Sequence, residues 1–145
     1  MNDKLMRRAL WASVPYNAGG ALLFLFPASL GQLAGLPGSV PHVYTASLAV
    51  LVALFGGAYA WLACQPQIDR PMVAFCALGK AAFFTVLLVC WLLGEAPGRG
   101  VIVAFGDLGF AIVFAWWLLG YTAAPIGRAA PVDISRGPSR RRGRG

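Results

Sequence analysis

Lys80 and Asp107 are the residues of this chain whose types and positions most invite chemistry. Each lies well inside an apolar run, 71–93 for the lysine and 101–120 for the aspartate, and the polar link 94–100 joins the two runs. A charge at membrane depth is costly, so it faces a partner, a cavity or a ligand. Asn17 and Tyr59 lie in two earlier apolar runs, and with Lys80 and Asp107 they form the candidate ligand-binding set. Three kinds of chemistry fit these residues. The opposite charges can form a buried pair, direct or water-bridged, that fixes helix register. They can instead form the polar floor of a small-ligand site, with Lys80 holding an anionic or carbonyl group. Or they can relay a proton or ion, as intramembrane carboxylates do, although one Asp and one Lys make a thin relay.

Helix rise sets the expected depths. Lys80 falls about 13 Å and Asn17 about 12 Å from the boundary that the two ends of the chain share, whereas Asp107 falls about 20 Å from it. An extended lysine covers most of that difference of about 8 Å, with a water or the Asn17 amide completing the bridge. Each charge follows a glycine, Gly79 and Gly106, which thins the wall beside it and allows close helix approach.

Catalytic signatures are largely missing. There is no Gly-rich phosphate loop, no Gly-x-Ser-x-Gly elbow and no metal-ligand cluster. No catalytic residue, metal or cofactor is expected. A lone lysine is thin support for a Schiff-base amine. His42 is the single histidine and a poor metal or haem ligand. Cys64, Cys76 and Cys90 are odd in number and form no Cys-x-x-Cys pair. They read as small apolar residues rather than as a disulfide framework or zinc site.

The elements that must position these groups are helices. The chain has 145 residues, 59% of them apolar and 12% charged, against roughly half and a quarter in a soluble domain. Four apolar runs, about 9–30, 43–64, 71–93 and 101–120, are each long enough for a hydrocarbon core of roughly 30 Å. The first follows a basic segment, 1–8, but it is too long for a signal h-region and lacks a clean cleavage site. It is therefore expected to be a retained helix, with Pro15 as a tolerated kink and Pro27 marking the start of its outer end. Breakers across 29–41 predict a loop, with a short interfacial turn at 30–36. Ala53/Gly57 and Gly56/Ala60 are two small-residue pairs suited to close helix approach. Asp69 is a plausible N-cap, with Pro71 in the first turn after it. Tyr59, Trp61, Trp116, Trp117 and Tyr121 sit near run ends, where aromatic belts form.

The net charge of +7 belongs to the ends of the chain: six of the 12 Lys and Arg follow residue 127, and three precede residue 9. The segment 122–145, rich in Gly, Pro and Arg, cannot bury a core and is expected to be a disordered basic tail. With four spans, ten basic residues share the side of the termini and only Arg99 lies opposite. Both termini are therefore expected in the cytoplasm. The expected fold is all-α: an integral membrane, antiparallel four-helix bundle occupying 9–121.

The segments Tyr59-Ala-Trp-Leu-Ala63, Pro66, Asp69-Arg70-Pro71, Gly79-Lys80, Gly106-Asp107 and Phe110-Ala111 resemble a group of small, uncharacterised bacterial four-span membrane proteins. The likeness covers about residues 5–120. In size and layout the chain is also loosely similar to DoxX-like four-helix membrane proteins. The resemblance implies fold and inner-membrane location and carries no activity. Function is thus expected at class level: a non-enzymatic membrane protein that binds a small amphiphile inside the bundle, or serves as a subunit of a larger assembly. The alternative is an ion- or proton-coupled small transporter working as an oligomer. Expected partners are membrane lipids, with anionic lipid at the Arg-rich tail, and a second copy or another membrane protein. Arg-Gly tails also bind nucleic acid, but a tail tethered at a membrane favours lipid.

Overall fold

The computed structural model describes residues 2–122. The basic tail from residue 123 onward and the Tyr121 side chain lie outside the described residues. Among those residues the structure is all-helical: α1 (Asp3–Leu25), a π-helical turn (Pro27–Gly31), α2 (His42–Cys64), α3 (Arg70–Leu92) and α4 (Gly98–Thr122).

Each boundary has a local cause. The Asn2 side chain accepts from the Lys4 amide at 3.1 Å and starts α1. The helix therefore includes most of the basic segment that the sequence set apart as 1–8. It ends at Leu25 rather than near residue 30, because Pro27 follows. The chain continues as a wide turn closed by Gly31 N–H to Phe26 C=O, 2.9 Å. Gly31 sits so close to the end of α1 that an added Cβ would lie 2.8 Å from the Leu23 carbonyl. Asp69 caps α3 by accepting from the Met72 amide at 3.0 Å, with Pro71 in the first turn, as its sequence position predicts. Gly94 takes φ 78° and closes α3. Its amide donates to Trp91 C=O and that of Glu95 to Cys90 C=O, the paired bonds of a Schellman motif.

Three helices are long and apolar enough to cross a membrane: His42–Cys64, Arg70–Leu92 and 98–120 of α4. α1, the fourth expected span, is not among them. Asp3, Lys4, Arg7 and Arg8 occupy its first two turns, and Ser13, Tyr16 and Asn17 interrupt the rest. The outer surface is apolar, with Leu54, Leu78, Ile102, Ile112 and Leu119 all exposed. Such a continuous apolar exterior is foreign to a monomer in water and matches lipid. The chain is a membrane protein.

α1 packs along α2, α3 along α4, and α1 also meets α4. Two clusters divide the interior. At the end holding the N-terminus and the 65–69 link, Met6, Leu10, Leu62, Val73, Phe114 and Trp117 form a closed core. At the opposite end the cluster is small, built on Phe84, Val101 and Ala104. Two basic side chains tie the filled end together. Arg7 donates to Ala63 C=O at 2.6 Å and Pro66 C=O at 2.8 Å, and Arg70 donates to Leu118 C=O at 3.3 Å. Both guanidiniums thus satisfy carbonyls at helix C-termini, where positive charge is favoured.

The aromatic belt is corrected at two positions. Trp61 and Trp116 are exposed, whereas Tyr59 and Trp117 are each 1% exposed. Positions one or two residues apart lie on different sides of a helix, so proximity to a helix end did not decide their direction. The Trp117 indole donates inward to Asp3 Oδ1, 3.1 Å. Of the two small-residue pairs, Gly56/Ala60 turns inward and Ala53/Gly57 faces outward. An added Cβ on Gly56 would meet Asn17, and one on Gly57 would meet nothing.

Candidate functional site

Helical spacing brings the polar groups together. The buried face of α1 runs through Met6, Leu10, Ser13 and Asn17, and that of α3 through Val73, Cys76, Lys80 and Phe84. On α4, Ala104, Asp107 and Ala111 are buried, and on α2, Gly56 and Tyr59. Near-multiples of 3.6 residues carry each polar side chain inward with the apolar ones.

Lys80 Nζ donates to Asp107 Oδ1 at 2.6 Å and to Asn17 Oδ1 at 3.1 Å. The pair is buried, with 3% of the lysine and 12% of the aspartate side chain exposed. The bond is direct, so no bridging water or amide is needed. α4 begins three residues before the expected 101, which carries Asp107 about 4.5 Å deeper and removes much of the predicted gap. The Asn17 amide braces the pair instead of bridging it, and its Nδ2 donates to Val52 C=O on α2 at 3.1 Å. One side-chain network thereby links α1, α2, α3 and α4.

Tyr16 joins the network, although sequence reasoning did not include it. Its hydroxyl lies 3.1 Å from Asp107 Oδ2 and 2.7 Å from Val103 C=O. A hydroxyl has one hydrogen, so these two acceptors share it. Three rings surround the ammonium, with centroids 4.9 Å (Tyr16), 5.2 Å (Tyr59) and 5.1 Å (Phe110) from Nζ. Their quadrupoles favour a cation there. A tyrosine mid-run beside Asn17 was the available signal for Tyr16. Phe110 gave none, since an aromatic residue in an apolar run reads as core.

The two glycines that precede the charges seat rings rather than helix backbones. An added Cβ on Gly106 would overlap the Tyr16 ring, and one on Gly79 would lie 3.4 Å from Phe55. The bare Gly106 makes room for the Tyr16 ring, which lies beside the ion pair, whereas at Gly79 the approach of Phe55 is an ordinary contact.

No family model, curated protein or solved structure matches the chain. The site must speak through its own geometry. Beyond the ion pair, toward the end with the small core cluster, the helices frame a cavity of about 760 Å³. Its walls are mostly apolar, with Phe24, Leu51, Phe55, Phe83, Leu87 and Val103 among them, and Tyr16, Asn17, Tyr59, Lys80 and Asp107 lie at its polar end. Ala34 and Leu36 of the α1–α2 connection close over the far end. That connection is held against the start of α4: Gly35, at φ 79°, lies against Pro97 and Arg99. From Asp107 to Gly100 the cavity runs for seven residues of α4, about 10 Å. Leu48, Leu51 and Val86 line it and are also exposed at the protein surface, so it is open laterally between α2 and α3. All four sequence-selected residues thus border one space. Among the described residues no three His, Cys, Asp or Glu side chains converge. The site can hold an apolar body and hydrogen-bond a polar head.

Proposed function

We propose that this chain is a four-span inner-membrane protein, with both termini cytoplasmic, that binds a small amphiphile within an antiparallel helix bundle. The apolar part of the ligand occupies the cavity and its head meets the floor made by Lys80, Asp107, Asn17 and Tyr59. One observation carries this reading: a cavity of about 760 Å³ with apolar walls ends on a buried, hydrogen-bonded ion pair. Ligand sites have this size and this mixture of many apolar walls and few polar groups. A purely structural ion pair accounts for the charges but leaves the hollow beside them unexplained, since membrane helices otherwise pack closely.

The assignment of α1 as the fourth span is supported by its 23 residues, about 35 Å of helix. Asn17 also hydrogen-bonds Lys80 of α3, an apolar span. Orientation rests on the ten-to-one excess of basic residues toward the end that holds the termini. Anionic lipid is the proposed partner of the Arg-rich tail, and a second copy or another membrane protein is the proposed assembly partner. An ion-coupled oligomeric transporter is the second reading, favoured by one feature: the buried ion pair borders an open cavity.

Native mass spectrometry of the purified full chain tests the main reading. Wild type is expected to retain a co-purified lipid-sized adduct, and Leu51→Trp, which fills the cavity, is expected to lose it. Equal adducts on both would overturn ligand binding in the cavity. Thiol labelling of single cysteines at Gln67 and Glu95, in a variant without the native cysteines, tests topology. Labelling of the Gln67 site from outside the cell would overturn the orientation.

A further inference from the structure

Among the polar side-chain atoms at this end of the cavity one has no hydrogen-bond partner, although the Lys80 ammonium also carries a third N–H beyond its two bonds. Asp107 receives Lys80 on Oδ1 and Tyr16 on Oδ2, and Asn17 uses both its carbonyl and its amide. The Lys80 charge is matched by a carboxylate 2.6 Å away. Tyr59 differs. It lines the cavity and is 1% exposed, yet its hydroxyl makes no hydrogen bond to any described residue. Among the described residues no polar side-chain atom is both sealed and unpaired. The hydroxyl therefore keeps a trace of accessible surface, and the open space that Tyr59 borders is the cavity.

From this we infer that the head of the ligand is an uncharged oxygen, a carbonyl or a hydroxyl, which pairs with the Tyr59 hydroxyl. The inference rests on the amphiphile-binding reading above. A phenol both donates and accepts, so it serves a ketone or an alcohol. An anionic head would stand beside Asp107 with no cation left to match it. A cationic head would stand beside a lysine whose carboxylate is already engaged. Either would be desolvated against apolar walls without compensation, which is heavily penalised. A neutral oxygen adds no charge and satisfies the one polar atom left over. A molecule with no oxygen would fill the walls but leave that hydroxyl unpaired, at a cost in affinity. The rest of the ligand is an apolar chain or ring system, because the cavity offers it little else to touch.

The experiment uses the full chain in amphipol and five probes of matched length: dodecanol, methyl decyl ketone, dodecanoate, dodecylammonium and dodecane. Calorimetric titration gives the affinity of each. Dodecanol and the ketone are expected to bind about tenfold more tightly than dodecane and both charged probes. Tyr59→Phe is expected to remove the advantage of the two oxygen probes over dodecane. The ranking in the unaltered chain tests the inference even if that variant folds poorly. A charged probe binding as tightly as dodecanol would overturn the head-group assignment and leave the amphiphile cavity standing. So would an advantage over dodecane that survives Tyr59→Phe. Absence of binding by all five would overturn both readings.

Discussion

Replacing Lys80 by Met and Asp107 by Asn, singly and together, measures what the buried pair contributes. Unit charges 2.6 Å apart attract by about 6 kcal/mol at an effective dielectric constant near 20. Burial of both ions offsets much of that, so the pair as a whole adds little net stability. The singles are a different matter, because each strands a buried group. Lys80→Met leaves the Asp107 carboxylate with only a shared Tyr16 hydroxyl and removes a donor from Asn17; a loss of about 3–5 kcal/mol is expected. Asp107→Asn leaves the ammonium with Asn17 and three rings. Those rings recover about 1–2 kcal/mol, so this single is expected to be the milder one. The double variant should fall within about 2 kcal/mol of wild type, giving a coupling energy of about 3 kcal/mol or more. Unfolding by SDS in mixed micelles, followed through the five tryptophans, supplies all four values. Losses that add to within about 0.5 kcal/mol would show that the charges act independently and would refute the reasoning.

Two further substitutions probe the frame around the pair. Gly106→Ala puts a methyl group where the Tyr16 ring lies, so that ring must swing away from Asp107; a loss of about 1–3 kcal/mol is expected in the same assay. A smaller Tyr16→Ala/Gly106→Ala penalty than the sum of the singles would confirm that the clash acts through the Tyr16 ring. Asp69→Ala removes the side-chain acceptor of the Met72 amide and is expected to cost about 1 kcal/mol, with Asp69→Asn nearly neutral.

The sequence alone determined the chemistry of the solvent. Composition and four apolar runs pointed to helices in lipid, because a long apolar helix satisfies its own backbone there. It also located the start of α3, where the signal is local, at Asp69 and Pro71. The pairing of Lys80 with Asp107 was legible too, since two opposite charges in neighbouring apolar runs have few other solutions.

What lay between helices was not legible. Depth counted along a helix gives height but not azimuth, and a start misjudged by three residues moved Asp107 by about 4.5 Å. That error left a gap that called for a water or amide bridge, where the two side chains make direct contact. Tyr59 and Trp117 were read from their distance to a helix end, when the side of the helix decided their burial. The cavity left no mark in the sequence, because a hollow is defined by side chains that fail to meet. Gly19 has nothing within 4 Å and borders the cavity, while Gly106, equally bare in sequence, seats a tyrosine ring. One residue type serves opposite ends there, and only the positions of the other helices distinguish a space that is filled from one that is kept open.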